Sequence, residues 1–520
     1  MNRPVIVWFR QDLRVADNPA LSAAAARPVL PVFVLDDAAM NGIAYGGAAR
    51  WWLHHSLVAL GADLGGLGAR LHVLRGDAVT LLADIARDVD AEEVQAGWLV
   101  EPWAREQERA LTERLSAEGR RLVLHASTHV LHPTTIAAGS GNPYTVYSPF
   151  AKKVLERGDL PEPLPAPERL NGIAPPSPGL PVEALDLLPK RPTPNWAAEF
   201  TTAWKPGEAG GQERLARFAR PALLREYSTR RNDPAVEGSS GLSPHLRWGE
   251  VSPRQVWHAA REAGGEDATP FLKEIIWREF SHHLLWHRPE IPHRALRPQF
   301  EGFPFRPDRD LLRAWEKGRT GYPIVDAGMR QLWRIGWMHN RVRMIAASLL
   351  VKHLLQPWQD GAAWFMDTLV DADPGNNSAS WQWMAGSGTD AAPYFRVFNP
   401  ITQGEKFDPE GGYVRRWVPE LARLPSRYIH RPYEAPAEIL RAAGVSEAVY
   451  PRPIVDHAEG RARALSALRA VAKGSPEVAE GAETDDGTPA ADAPAFAGTP
   501  VAAKKTPAKK TPVKGRAARA

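Results

Sequence analysis

Pro4-Val-Ile-Val-Trp-Phe9 and Val29-Leu-Pro-Val-Phe-Val-Leu35 are short apolar runs, separated by a polar turn and the Ala-rich segment 19–26. A strand buried on both faces reads this way, because helices cover it from either side. The rhythm continues downstream with helix-like 48–60, strand-like 71–74, helix-like 78–89, strand-like 94–100, helix-like 103–118 and strand-like 121–125. Alternating strands and helices predict an α/β domain with an open, doubly wound parallel sheet, assigned to residues 1–130.

Residues 131–206 read as an interdomain linker, because prolines recur there, as in Leu160-Pro-Glu-Pro-Leu-Pro-Ala-Pro167, with little apolar periodicity. From 207 to 472 helical periodicity dominates, with spans at 211–226, 253–263, 270–286, 309–317, 323–335, 339–355 and 361–369. An all-α second domain is expected. Residues 473–520 turn acidic and Ala/Pro-rich, then basic with repeated Lys-Lys-Thr-Pro, and are expected to form a disordered tail. Its basic end suits nucleic acid without sequence preference, or serves only solubility.

A chain of 520 residues exceeds one ordinary core. A net charge of +4 is compatible with a polyanionic partner but does not demand one. With no cysteine, a disulfide framework, a thiolate zinc site and a cysteine-ligated iron–sulfur cluster are excluded. No charged start leads into an apolar leader and no apolar run has membrane length, so a cytoplasmic protein without membrane contact is expected.

Within the helical region, Tyr227 and Arg231 precede Ser239-Ser-Gly-Leu-Ser243-Pro-His-Leu246. Small hydroxyl residues with Gly at a helix start offer donors to phosphate oxygens, or simply cap the helix. Phe271 follows, and then Glu274, Trp277 and Arg278, whose spacings of three and four place them on one helical face. An exposed ion pair beside a packed Trp would give the same pattern. Trp337-Met-His-Asn-Arg-Val-Arg-Met344 and Asp371-Ala-Asp-Pro-Gly-Asn-Asn-Ser-Ala-Ser-Trp-Gln-Trp383 mix tryptophans, arginines, acids and amides. That mixture suits the wall of a site for a large planar charged ligand. The alternate carboxylates Asp371 and Asp373 could suit a hard cation, but no third acid lies nearby and no metal is expected.

These strings resemble the photolyase/cryptochrome family, and the resemblance runs from Val5 to about Leu468. Val7-Trp-Phe-Arg-Gln-Asp-Leu-Arg14 with Asp17-Asn-Pro19 is similar to the family's opening, and Trp381-Gln-Trp-Met-Ala-Gly-Ser-Gly388 to its flavin site. The absence of cysteine excludes the iron–sulfur branch. The resemblance implies an N-terminal antenna domain, a helical FAD-binding domain and light-driven repair of damaged DNA by a monomer. Trp51-Trp-Leu-His-His-Ser-Leu57 resembles plant cryptochromes and their nearest bacterial photolyases. This favours a folate antenna such as methenyltetrahydrofolate over a deazaflavin, although the acid and amide that one group uses for folate are not matched around Pro102-Trp-Ala104.

By the same resemblance, Tyr227, Ser239, Ser240, Gly241, Leu242, Ser243 and Phe271 bind FAD, together with Asn340, Asp371, Ala372, Asp373 and Asn377. Glu274 hydrogen-bonds the damaged bases, Trp277 and Trp383 line the lesion cavity, and Arg231, Arg278, Asn340, Arg341 and Met344 meet DNA. Arg396, in Tyr394-Phe-Arg-Val-Phe398, fills the duplex where the dimer has left. Family members that repair (6-4) photoproducts carry His at the positions of Asn340 and Met344, where an acid is needed. Asn and Met cannot supply that proton, so a cyclobutane pyrimidine dimer is the implied substrate. Asn377 faces flavin N5, where plant cryptochromes carry Asp.

Glu274, Asn340, Asn377, Trp381 and Trp358 are the implied catalytic set. Trp381 is the tryptophan nearest the flavin and Trp358 the next hop of an electron chain. The third position, usually Trp, is Phe305, a ring far harder to oxidise. A photolyase specific for cyclobutane dimers is therefore the expected function, with a blue-light signalling cryptochrome as the alternative.

Overall fold

The computed structural model describes residues 3–40, 43–158, 160–189, 195–389 and 395–472, and the expected disordered tail at 473–520 lies outside them. Strands β1 (Val5–Phe9), β2 (Pro28–Leu35), β3 (His72–Arg75), β4 (Glu93–Gly97) and β5 (Arg121–His125) form a parallel sheet in the order β3-β2-β1-β4-β5. A two-residue strand, β6 (Asn171–Gly172), adds to β2. The chain winds outward from β1 to β3, then crosses back to β4. That reversal opens a crevice beyond the carboxyl ends of β1 and β4.

Period-two alternation divides β1 between two cores. Val5, Val7 and Phe9 pack with residues of the helices Pro19–Ala24 and Gly47–Gly66. Ile6 and Trp8 pack on the other face with residues of Ala78–Asp88 and Pro102–Ala117. Helices on both faces make the sheet doubly wound, as its sequence predicts. Their starts are fixed locally: Asn18 accepts from Leu21 N at 3.1 Å, and Asp77 from Thr80 N at 2.7 Å.

From Phe200 onward the regular structure of the described residues is helical. The expected span 211–226 is two helices, Glu208–Phe218 and Pro221–Arg230, because Pro221 has no N–H to continue the first. The expected span 339–355 is Asn340–Ser348 followed by a π-turn, Leu349–His353. Within 131–206, the helix Tyr147–Leu155 and β6 lend structure to a stretch that reads as linker.

The helical region seats on the crevice side of the sheet. Trp248 and Val370 belong to the same core as β1, and Trp52 Nε1 donates to Glu250 at 2.9 Å. Arg14, fully buried, donates to the Gly249 carbonyl at 2.8 Å and the Ser127 carbonyl at 2.8 Å. Gly249 has a φ of +62°, and a Cβ there would lie 2.1 Å from the Gln11 carbonyl oxygen. Only glycine allows this approach of the two backbones. Among the described residues no helix is long and apolar enough to cross a membrane.

Candidate cofactor and DNA site

A cavity of about 210 Å³ lies within the helical region. Its wall comes from sequence segments far apart. The helix Pro221–Arg230 and the residue after it supply Tyr227 and Arg231, and the next loop supplies Ser239 to Ser243. The helix Thr269–His287 presents Phe271, Glu274, Ile275 and Arg278, a stripe at spacings of three and four. Asn340 and Arg343 come from Asn340–Ser348, and Asp371, Ala372, Asp373 and Asn377 from the start of Pro374–Ala385 and the turn before it.

Fixed hydrogen bonds hold this wall. Asp371 Oδ2 accepts from Ser243 Oγ at 2.6 Å and from Arg343 Nη2 at 2.8 Å, which ties the serine loop to two helices. Asp373 caps its helix by accepting from Asn376 N at 2.7 Å, and its oxygens lie 3.1 Å from His282 Nε2. Burial alone would raise the Asp373 carboxyl, but His282, Arg247 and the Asn376 N–H outweigh it and hold the group well below the usual carboxylate range. Asn377 donates its amide to the Ala362 carbonyl at 3.0 Å, which fixes how that side chain is turned. Glu274 pairs with Arg231, which lies 5.2 Å from the centre of the Tyr227 ring.

The sheet also reaches this wall. Arg247, which lines the cavity, donates to Gln11 at 2.5 Å and to Glu101 at 3.0 Å. Gln11 lies in the turn after β1, and Glu101 precedes Pro102–Ala117. The polar turn after the first strand therefore supports the cavity from outside.

Some buried hydrogen-bonding capacity is left over. Asp371 Oδ1 and Arg247 Nε, both on cavity residues, have no partner among the described residues. Buried polar atoms in native proteins are nearly always satisfied, so this wall suits a polar occupant. A carboxylate and a guanidinium beside Phe271 and Phe365 fit a flavin: the carboxylate suits ring N–H groups, the guanidinium suits oxygens, and the rings suit an apolar face.

The structure does not bring every expected residue to this wall. Trp277 is turned round the helix from Glu274 and Arg278 and stacks on Tyr147, with ring centres 3.3 Å apart. Met344 is fully buried, and Arg341, 3% exposed, donates to Asn232 at 2.6 Å and lies 4.5 Å from the centre of the Phe407 ring. Trp383 and Trp358 are buried in the helical core. Trp381, also buried, has Trp315 at 6.1 Å and Phe365 at 5.0 Å as ring neighbours. Arg396 is half-buried on a segment outside the cavity, and Phe305 is half-buried against Phe303 at 4.8 Å.

Sequence reasoning passed over Arg247, His282, Arg343 and Trp315. The stripe 271, 274, 278 extended by one turn gives 282, and Asn340 extended by three gives 343. Arg247 and Trp315 leave no such signal, since only tertiary contact places them. Among the described residues no cluster of three or more His, Cys, Asp or Glu could hold a metal ion.

A second, smaller cleft lies at the carboxyl end of the sheet, lined by Trp8, Arg10, Phe33, Asp36, Trp103 and Gln107 among others. Gln107 donates to Asp36 at 2.8 Å. Trp8 Nε1, Arg10 Nη1 and Gln107 Oε1 are buried there without partners among the described residues.

Comparison with known proteins agrees with this geometry. Residues 5–168 match the DNA photolyase domain, and 271–470 match the FAD binding domain of DNA photolyase. A deoxyribodipyrimidine photo-lyase of Agrobacterium fabrum is 48% identical over 481 residues, covering 90% of this chain and 98% of that protein. Cryptochrome-1 of Arabidopsis thaliana is 38% identical over 479 residues, covering 89% of this chain and 70% of that protein. The crystal structure of a bacterial class III photolyase from Agrobacterium tumefaciens aligns with a TM-score of 0.87 at 45% identity, covering 91% of this chain and 98% of that one. With both domain types matched in one chain and a photo-lyase 48% identical aligned over 98% of its length, the chain belongs to the DNA photolyase/cryptochrome family.

Proposed function

We propose that this protein is a deoxyribodipyrimidine photo-lyase that holds FAD in the helical cavity and splits cyclobutane pyrimidine dimers in DNA under blue light. The observation that carries the reading is that one cavity is lined both by the Ser239–Ser243, Asp371 and Asn377 group and by Glu274, Arg278 and Asn340. The Ser239–Ser243, Asp371 and Asn377 group would hold reduced FAD, which would supply light-driven electron transfer to the cyclobutane ring.

The chain's own residues provide position. The Ser239–Ser243 loop, with Tyr227 and Phe271, holds the cofactor's phosphates and ring. Asp371, Asp373 and Asn377 accept or donate along its edge. Glu274 and Asn340 meet the base edges of a dimer turned out of the duplex, Arg231, Arg278 and Arg396 meet the strand, and the buried Arg341 braces the wall from behind through Asn232. Trp277, stacked on Tyr147, and Trp383 and Met344, in the helical core, support the lesion side from behind the cavity wall. Neither Asn340 nor Met344 offers an acid, which favours the cyclobutane dimer over the (6-4) product. Trp381 and Trp358 carry electrons inward when the cofactor must be reduced, and Trp315 gives Trp381 a further oxidisable neighbour.

We assign the antenna as a folate seated outside the second cleft, against the half-buried Trp103, since the cleft itself, about 20 Å³, admits no more than a water. A cytoplasmic monomer is the proposed working state. Signalling is the second reading, compatible with Phe305 at the third position of the expected electron chain and with the acidic-then-basic C-terminal sequence.

Substrate choice tests the proposal. The illuminated holoprotein should reverse a cyclobutane dimer in a duplex and leave a (6-4) photoproduct intact. Repair of the (6-4) product, or of neither, would contradict it.

A further inference from the structure

Lys352 is 3% exposed and lies in the π-turn Leu349–His353, which continues the helix carrying Asn340. π-turns are rare and recur at functional positions. The Lys352 amine donates to the Arg396 carbonyl and lies 4.2 Å from the centre of the Phe395 ring. One turn earlier, Ser348 Oγ accepts from Phe398 N at 3.2 Å. Two side chains of one helical segment thus tether the backbone on both sides of Val397.

Packing does not account for an amine here. A buried cation without a carboxylate is costly, and a methionine would fill the same space without that cost. Burial, with the like charge of Arg396 beside it, pulls the Lys352 amine down to about 7. The other charged or titratable groups around the turn are His353 itself, His457 at 2.8 Å from it, and Arg463, which donates to the His353 carbonyl at 3.2 Å. The last two belong to the helix His457–Ala472. The amine therefore stands among cations and imidazoles, and a polyanion nearby would favour its protonated form. The Arg396 guanidinium is half-buried, and its Nε has no partner among the described residues.

We propose that Lys352 is a positioning residue for lesion-bearing DNA: it fixes the backbone of Arg396 and so aims that guanidinium at the duplex. The inference rests on the reading of Arg396 as a DNA contact given above. Phosphates near Arg396 raise the amine's proton affinity, so binding takes up a proton at Lys352 and weakens as pH rises through about 7.

The test uses the FAD-loaded full chain. Dissociation constants for a dimer-containing duplex are measured in darkness by fluorescence anisotropy, and kcat by light-driven repair at saturating DNA. K352M should weaken binding about tenfold with kcat unchanged. R396A should weaken it comparably, and the double variant should be no weaker than R396A alone. K352Q, which keeps a neutral donor, should retain most affinity and lose the pH response. Wild-type affinity for K352M beside a weakened R396A, or additive losses in the double variant, would overturn the proposal while leaving the photolyase reading intact. A wild type that binds dimer and undamaged duplex equally would overturn both.

Discussion

Replacing Asp371 with Asn tests how the cavity holds its cofactor. The buried carboxylate receives Ser243 Oγ at 2.6 Å and Arg343 Nη2 at 2.8 Å on one oxygen and leaves the other unspent. Asparagine keeps the shape but removes the charge, and whichever way its amide turns, one acceptor is lost. A hydrogen bond involving a charged group contributes about 1.5–3 kcal/mol. A net loss of about 2 kcal/mol corresponds to roughly thirtyfold weaker FAD binding. The assay is fluorescence titration of the apoprotein with FAD, with thermal unfolding of the apoprotein as a control for the fold. Glu199→Gln, in an exposed pair with Arg334 at 2.8 Å, is the comparison and should change affinity little. An Asp371→Asn protein that binds FAD within twofold of wild type would refute the assignment of this carboxylate to the cofactor.

Trp381→Phe should abolish photoreduction of oxidised enzyme yet spare repair by chemically reduced enzyme, and loss of both together would contradict the division of roles. Trp103→Ala should lower antenna content tenfold or more, since stacking on an aromatic contributes roughly 1–3 kcal/mol, with FAD content unchanged. The absorption spectrum of purified protein reads both, and undiminished antenna content would rule out this seat. His339 and His353 are held down to about 3, chiefly by burial. Both fold neutral, so their contribution to stability is complete above the unfolded value of about 6.5 and declines as pH falls from there toward 3. Each should lower unfolding free energy by up to about 1.4 kcal/mol per pH unit in that window. Denaturant unfolding at stepped pH measures it, and a flat profile would show that the rings are hydrated.

The sheet was legible because buried parallel strands write themselves as unbroken apolar runs: Val5–Phe9 and Pro28–Leu35 fall within a residue of the expected spans. Helix ends were less legible. Pro221 breaks one expected helix, and the π-turn at Leu349 alters another without any change in composition. Pro374–Ala385 carries no apolar stripe, because its residues face a polar cavity on one side and tryptophan packing on the other. The family resemblance picked out Glu274, Asn340, Asp371 and Asn377, which line one cavity. Spacing could not find Arg247, whose place depends on Gln11 and Glu101 more than a hundred residues away. Nor could it foresee that Trp277 would be taken up by Tyr147, a contact between segments that read as unrelated.

The central claim is that FAD and a pyrimidine dimer meet in the cavity between Ser239–Ser243 and Glu274. The most direct measurement follows dimer content in duplex DNA mixed with fully reduced holoprotein, with and without blue light. Dimers should disappear only in the illuminated sample, in multiple turnovers per protein molecule. Dimers that persist under illumination, with reduced FAD demonstrably bound, would contradict the account.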